Sequence, residues 1–362
     1  MAAIRKRASR ASKAAKRIVI SLFIIVVVVE CAYILYLFSY QKNPKNSEFN
    51  LTQKELQDAP LPLYKSNFIL PSKDPLLITE LRSNYSQMFD GSVVRLPRAV
   101  NVSINADGFR GRNYNETKSI KTKRIVVIGD SVAFGQGVEE NETFSAVLEK
   151  MLNRNSSMTY EVLNMAVPGY NTEQEVEMLY KKGLKYSPDL VIVAYHLNDA
   201  YNTSLLNELQ RNLSSSITGD KVNMSNATRR QLIIAAHNAD EILDKKLALQ
   251  YSESGWNSLY PPWERLRNLS KSGNFSVLVV SGIELYQDAY HADVSKNMLQ
   301  FLREKAIGNE TNWALLDVRN ALQKYPRNSL VVHPLDGHAN ALGHSIIAGE
   351  IYRFLANESF VA

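Results

Sequence analysis

The stretch RIVVIGDSVAFGQG, residues 124–137, joins a run of four apolar residues directly to Gly129, Asp130 and Ser131. Apolar runs that do not alternate with polar residues are typical of strands buried on both faces of a parallel sheet. The glycine, acid and serine that follow this strand allow two interpretations. They form either an ordinary strand-to-helix turn with a good N-cap or a turn that presents the hydroxyl of Ser131 for chemistry.

Apolar runs of strand length alternate with segments of helical periodicity from Lys123 onward. The predicted strands are Arg124–Ile128, Tyr160–Asn164, Leu190–Tyr195, Ser276–Val280 and Trp313–Asp317. The predicted helices are Thr143–Arg154, Glu173–Tyr186, Thr228–Gln250, Trp263–Lys271, Asp293–Ile307 and Ala341–Leu355. This alternation predicts an α/β fold, a three-layer α/β/α sandwich around a five-stranded parallel sheet of the flavodoxin-like type. Ligands of such folds bind in a crevice at the C-terminal ends of the strands.

Polar residues follow the second and third predicted strands. The segment NMAVPGYNT, residues 164–172, contains Gly169, where the backbone can approach a ligand closely. The segment VIVAYHLNDA, residues 191–200, brings Asn198 and Asp199 to the end of the third strand. A side-chain amide at that position can donate a hydrogen bond to a developing oxyanion. Taken alone, the first segment is an ordinary Pro-Gly turn and the second an ordinary polar turn.

The segment HPLDGHANALGH, residues 333–344, follows the last predicted strand and opens the last helix. Asp336 and His338 are two residues apart on a predicted loop, so the carboxylate could hold the imidazole in one tautomer. Zinc binding is the alternative, with four possible ligands: His333, Asp336, His338 and His344. The lack of cysteine here and the helical position of His344 favour the first interpretation.

These four segments, each at the C-terminal end of a strand and in this chain order, resemble the SGNH (GDSL-like) hydrolase family. The resemblance implies Ser131 as nucleophile, His338 as general base and Asp336 as the residue that orients His338. It implies an oxyanion hole made by the backbone N–H groups of Ser131 and Gly169 and by the amide of Asn198. Neither a metal nor an organic cofactor is needed for this chemistry.

The resemblance covers residues 105–355, beginning at the segment NADGFRG, and departs from the family pattern at His196. This histidine stands where the family's G-x-N-D block has its first glycine. The resemblance implies an esterase that hydrolyses O-acyl esters of glycans or lipids. Two alternatives remain: an acyltransferase that uses the same triad, and a catalytically inactive glycosylated surface protein on this fold. Nucleotide binding fits least, because the chain has no P-loop motif.

The charge of the chain is unevenly distributed. It has 42 Lys and Arg against 36 Asp and Glu, a net charge of +6 in 362 residues. Seven of the basic residues precede Ile18, with no acidic residue among them. The remainder is therefore close to neutral, which gives little support for binding to nucleic acid.

The apolar run Ile18–Tyr40 is long enough, as a helix, to cross a hydrocarbon core of roughly 30 Å. Because the basic cluster precedes it, the N-terminus is expected in the cytosol and the rest of the chain outside. Cys31, the single cysteine, lies in this run, so the body has no disulfide bond. The predicted segments are a cytosolic basic tail, a transmembrane signal anchor, a linker with an N-terminal extension, and a hydrolase domain, at residues 1–17, 18–40, 41–120 and 121–362.

Sequons of the form N-x-S/T occur at high density, and all of them follow the predicted anchor. The acceptors are Asn50, Asn84, Asn101, Asn115, Asn141, Asn155, Asn202, Asn212, Asn223, Asn226, Asn268, Asn274, Asn309 and Asn357. This density predicts a glycosylated surface facing away from the cytosol, although an Asn- and Ser-rich chain with unused sites is the alternative. Four sequons lie in residues 200–228, a predicted surface loop beside the crevice.

Overall fold

The computed structural model describes residues 67–89, 96, 98–200, 247–283, 285, 289–334 and 336–358, with the backbone alone at 289–292 and 336. The predicted anchor 18–40, the basic tail and nearly all of the predicted loop 200–228 lie outside these residues. Within the described ranges, no helix combines the length and the apolar character that crossing a bilayer requires.

The described strands and helices follow one another in a regular α/β order from residue 122 onward. The strands are β1 (Ile69–Pro71), β2 (Thr79–Leu81), β3 (Tyr85–Phe89), β4 (Val100–Ile104), β5 (Thr122–Gly129), β6 (Thr159–Asn164), β7 (Leu190–Ala194), β8 (Ser276–Ser281), β9 (Trp313–Asp317), β10 (Val331–His333) and β11 (Asp336–Ala339). The α-helices are α1 (Ser131–Phe134), α2 (Phe144–Leu152), α3 (Thr172–Met178), α4 (Trp256–Gly273), α5 (Ala289–Phe301), α6 (Arg319–Leu322) and α7 (Ala341–Asn357).

The main sheet has five parallel strands in the order β6-β5-β7-β8-β9. Numbered along the chain, these strands have the spatial order 2-1-3-4-5, which is that of a flavodoxin-like sheet. Each of the five predicted strands is present, with bounds that differ by at most two residues. The residues of β7 are all buried, as a strand covered on both faces requires. The five-stranded parallel sheet predicted from the sequence is therefore confirmed.

Helices cover both faces of this sheet. The first crossover leads from β5 to β6 on one side, and the next leads back past β5 to β7 on the other. Because crossovers between parallel strands are right-handed, this reversal places α2 on one face and α3, α4 and α5 on the opposite face. The packing agrees, since α2 contacts α7, whereas α3 contacts α4. In sheets of this type, ligands bind at such a reversal, which here lies at the C-terminal end of β5.

Helix α4 begins seven residues before the predicted start, at Trp256 rather than at Trp263. Pro261 and Pro262, which directly precede the predicted start, lie inside the helix. Burial of Trp256 and Leu259 stabilises the early turns despite the hydrogen bonds that the prolines cannot donate. The predicted helix Thr228–Gln250 lies outside the described residues except for its last four.

The described part of the predicted linker, residues 67–89 and 98–120, packs into the same apolar core as the sheet. Strand β4 pairs with β3 and points alternate side chains inward, namely those of Val100, Val102 and Ile104. Phe68 stacks on Phe134 with ring centroids 5.5 Å apart. These strands are short and separated by Asn- and Ser-rich turns, so their composition alone resembles that of a linker.

Candidate active site

The turn after β5 depends on glycine at position 129. A Cβ atom added to Gly129 would lie 2.5 Å from the Cβ of Ala133, closer than real side chains approach. Asp130 then caps α1, with Oδ1 accepting a hydrogen bond of 2.9 Å from the backbone N–H of Val132. Ser131 is the first residue of α1, at the C-terminal end of β5. The turn therefore caps a helix, as the first interpretation expected, and it places Ser131 at the C-terminal end of β5, whereas a role of its hydroxyl in chemistry stays a prediction.

His338 contacts Ser131 although the two residues are far apart in the sequence. Its Nε2 lies 2.7 Å from the hydroxyl oxygen of Ser131. When the serine hydroxyl donates this bond, Nε2 accepts it and Nδ1 carries the ring proton. This is the arrangement in which an imidazole can take the proton of a nucleophilic serine.

The segment that carries His338 is a strand, not the loop that was predicted. Strand β11 pairs antiparallel with β10, with Val331 opposite Ala339 and His333 opposite Asp336. Pairing with β10 satisfies backbone groups that a loop would leave to water. The side chain of Asp336 lies outside what the structure describes, so its contact with His338 remains a prediction.

The two other predicted oxyanion donors follow the strands on either side of β5. Gly169 follows β6 and has φ +83°, a conformation that favours glycine, while an added Cβ would meet no atom within 4 Å. Asn198 lies in the 3₁₀ turn Leu197–Ala200 that follows β7. Since β5 lies between β6 and β7, the loops that carry Gly169 and Asn198 flank the turn of Ser131.

The amide of Asn198 is held from both ends. Its Nδ2 donates a hydrogen bond of 3.0 Å to Oδ2 of Asp130, which is fully buried. Its Oδ1 lies 2.7 Å from Nδ1 of His196. Asp199 closes the same turn, with Oδ2 accepting a 2.8 Å bond from the backbone N–H of His196. Asn198 thus belongs to a network of four polar residues next to the serine turn, with Asp130, His196 and Asp199 as the other members. Of these four, the sequence indicated a functional role for Asn198 alone.

A second carboxyl group, that of Glu175 on α3, is buried near Asp130. Within the described residues, neither of its carboxylate oxygens has a hydrogen-bond partner. Burial, and then the negative charge of Asp130, raise the pKa of Glu175 well above its ordinary value. The local sequence TEQEVEM gives no sign of this, because it does not distinguish the buried Glu175 from the exposed Glu173 of the same helix.

His344 is a buried structural residue at the junction of α2 and α7. Its Nδ1 accepts a hydrogen bond of 3.2 Å from the backbone N–H of Phe144, and the two rings stack. Burial, with smaller effects of His338 and Arg110, lowers the pKa of His344 to about 3, so the imidazole is neutral. The part of the chain that the structure describes contains no group of three side chains placed to bind a metal ion.

A cavity of about 160 Å³ lies between the C-terminal end of β7 and the helices α3 and α4. Its lining includes Thr172, Asp199 and Pro261 but neither Ser131 nor His338. The cavity is therefore separate from the contact between Ser131 and His338.

The sequence model of the GDSL-like Lipase/Acylhydrolase family matches residues 127–346, a range that contains Ser131, Gly169, Asn198 and His338. The chain belongs to this family. It is therefore a hydrolase that acts on ester bonds. Membership confirms the resemblance that was drawn from the four polar segments at the strand ends.

Solved structures with a similar arrangement include other esterases. The two-domain esterase CEX, active on acetylated mannans, is 14% identical, with a TM-score of 0.40 over 65% of this chain and 49% of that chain. The present chain thus spans about half of that protein. TesA is 15% identical, with a TM-score of 0.42 over 65% of this chain and 99% of its own. The acetylxylan esterase Axe2 from Geobacillus stearothermophilus is 13% identical, with a TM-score of 0.39 over 64% of this chain and 93% of its own. A search of curated proteins found no match.

Proposed function

We propose that this family member is a serine esterase that cleaves O-acyl esters of glycans or lipids with Ser131, His338 and Asp336 as its triad. The 2.7 Å contact between Ser131 Oγ and His338 Nε2 is the observation that carries the proposal. In the first half-reaction, Oγ attacks the ester carbonyl while Nε2 takes its proton. The imidazolium then returns that proton to the leaving alcohol, and an acyl-enzyme remains.

In the second half-reaction, His338 removes a proton from water, which attacks the acyl-enzyme. The imidazolium then returns that proton to Oγ of Ser131 as the bond to the acyl group breaks and the acid is released. Asp336 would accept a hydrogen bond from the imidazole Nδ1–H and stabilise the charged ring in both halves. The neighbouring position of Asp336 on β11 supports this role. A sugar or lipid hydroxyl in place of water would give the acyltransferase alternative with the same residues.

Three donors would stabilise the oxyanion of each tetrahedral intermediate: the backbone N–H groups of Ser131 and Gly169, and Nδ2 of Asn198. The placement of their loops around the end of β5 supports this assignment. Asn198 donates one of its two amide hydrogens to Asp130, which leaves the second for substrate. Removal of one such donor typically lowers the rate by about 10²–10³-fold.

The proposal also includes a location: the protein is anchored in a membrane, with its esterase domain outside the cytosol. The apolar run at residues 18–40, which follows a basic cluster, supports this location.

The candidate glycosylation acceptors are mostly at the surface. Nine of them lie in the described residues, and eight of these are exposed. The other one, Asn101, is half-buried on β4 and exchanges hydrogen bonds with Ser86. The remaining acceptors, Asn50, Asn202, Asn212, Asn223 and Asn226, lie outside the described residues.

Hydrolysis of p-nitrophenyl acetate by the detergent-solubilised full chain tests the enzymatic proposal. The wild-type protein should release p-nitrophenol catalytically, and Ser131→Ala should not, because it lacks the nucleophile. Adding glycerol as an acyl acceptor distinguishes the alternatives. An esterase gives mainly acetate, whereas an acyltransferase gives mainly the acetylated alcohol. Equal turnover by wild type and Ser131→Ala would rule out the triad.

A further inference from the structure

His196 is the residue at which this chain departs from the G-x-N-D pattern, and its side chain contacts the oxyanion residue directly. The ring nitrogen Nδ1 lies 2.7 Å from Oδ1 of Asn198. The distance from the same nitrogen to Oδ2 of Asp130 is 3.8 Å, too long for a hydrogen bond. The amide of Asn198 is therefore the hydrogen-bonding partner of Nδ1, and Asp130 contributes only its charge.

The direction of each hydrogen bond in this network follows from Asp130. An ionised carboxylate can only accept, so the Asn198 atom that faces it must be the amide nitrogen Nδ2. The amide oxygen then faces His196 and can only accept. Nδ1 of His196 must consequently carry a proton. One orientation of the amide satisfies both neighbours, whereas a rotation by 180° about the terminal bond would place like groups against each other at both contacts.

We propose that His196 is a positioning residue that fixes the amide of Asn198 with its second N–H directed at the substrate oxyanion. A glycine at position 196 has no side chain to hold Oδ1, so Asp130 alone would restrain the amide. With His196 present, both Oδ1 and Nδ2 of the amide have a hydrogen-bonding partner before substrate binds. Donors that are oriented in advance stabilise an oxyanion without reorganising during the reaction. The effect on turnover rests on the proposed esterase function, whereas the state of the ring does not.

The backbone of His196 is held by hydrogen bonds that do not involve its imidazole. Its backbone N–H donates to Oδ2 of Asp199, and its carbonyl accepts from the backbone N–H of Asp199 at 3.1 Å. Substitution of the imidazole should therefore leave the path of the chain intact. His196→Ala removes the donor, and His196→Asn keeps an N–H donor close to the position of Nδ1.

Nitrogen NMR of the full chain labelled with ¹⁵N-histidine tests the ring state without reference to activity. The chain has six histidines, and the signals that vanish in His196→Asn identify this residue. We expect His196 to be protonated at Nδ1, and that proton to become exchange-labile when Asn198→Ala removes its acceptor. A neutral ring protonated only at Nε2 would overturn the inference, even if the protein proved to be inactive.

A double-mutant cycle on p-nitrophenyl acetate hydrolysis then tests positioning. His196→Ala should lower kcat roughly tenfold, the effect of about one hydrogen bond, with little change in KM. His196→Asn should recover most of that loss. In an Asn198→Ala background, His196→Ala should not lower kcat further, because the amide that His196 positions is absent. Additive losses, or a loss confined to KM, would contradict positioning. An inactive wild type would instead count against the esterase proposal and leave the NMR result to decide.

Discussion

Nε2 of His338 lies 2.7 Å from Oγ of Ser131, although 207 residues separate them in the chain. Two local structures produce this contact. The glycine turn after β5 presents the serine, and the short β10–β11 hairpin carries the histidine back across the end of the sheet. The proposed mechanism needs both groups, since an isolated serine hydroxyl is a weak nucleophile.

Loss of the general base should abolish most of the activity while leaving the fold intact. We expect His338→Ala to lower kcat/KM for p-nitrophenyl acetate by at least about 10³-fold, because Ser131 then has no proton acceptor. His333→Ala is the matched control, since it removes a half-buried histidine from the partner strand β10. Comparable losses in the two variants would mean that the hairpin is sensitive to any change.

Glu175 should make the protein less stable as the pH rises. Its folded-state pKa lies above the ordinary value of 4.5, so the native state keeps a proton that the unfolded chain loses. The free energy of unfolding therefore falls as the pH increases from about 4.5 toward the folded pKa. Glu175→Gln removes this titration, so the variant should gain stability over wild type with rising pH. Glu173→Gln, an exposed site on the same helix, should show no such gain in urea unfolding series.

His344 should contribute to acid unfolding in the opposite sense. Its pKa is lowered from 6.5 to about 3. Between pH 6.5 and about pH 3, the unfolded chain therefore binds a proton at this residue and the native state does not. Stability is thus lost as the pH falls through this window, by up to about 1.4 kcal/mol per pH unit. His344→Gln keeps an acceptor for the N–H of Phe144 but cannot titrate. Its unfolding free energy should depend less on pH between about 6 and 4, and an unchanged dependence would assign acid sensitivity to other groups.

Substitution by alanine should destabilise the protein to different extents at two glycines beside the site, Gly129 and Gly169. At Gly129 the new methyl group would overlap the Cβ of Ala133 at 2.5 Å, a clash that we expect to cost about 1–3 kcal/mol and to displace Ser131. At Gly169 the methyl group has open space but the backbone has φ +83°, so the cost should be about 1 kcal/mol. Urea unfolding compares the two variants. A larger loss at Gly169 would show that the clash relaxes easily.

The proposed topology predicts that the chain carries N-linked glycans when it is made in a eukaryotic secretory system. Digestion with an N-glycosidase should lower the apparent mass in several steps. Changing exposed acceptors such as Asn155 and Asn309 to Gln should each remove one step. Protease added outside intact cells should degrade the body. A chain of unmodified mass that is protected in intact cells would place the esterase domain in the cytosol.

The sheet could be predicted from the sequence because each of its strands is a continuous apolar run bounded by turn residues. The positions of Ser131, Gly169 and Asn198 at strand ends followed from the same pattern. Strand β11 was missed because it is short and its pairing with β10 is a tertiary contact. The early start of α4 was missed because burial of Trp256 outweighs two prolines that local propensity treats as a helix boundary.

Two features could not be predicted in the same way. They are the burial of Glu175 and the hydrogen bonds that hold Asn198 between His196 and Asp130. Each depends on side chains that the fold brings together from β5, α3 and the turn after β7. A sequence pattern shows that His196 replaces a glycine, but only the three-dimensional structure shows which atom of Asn198 it contacts. The network that supports the site is therefore visible in three dimensions only.

The most direct test of the central claim is to treat the full-length protein with a fluorophosphonate and locate the adduct by mass spectrometry of its peptides. An activated serine reacts with this probe, whereas an ordinary hydroxyl does not. We predict a single adduct on Ser131 in the wild-type protein, greatly reduced in His338→Ala and absent from Ser131→Ala. A folded wild-type protein without an adduct, or an adduct that persists in Ser131→Ala, would contradict the assignment of Ser131 as the nucleophile.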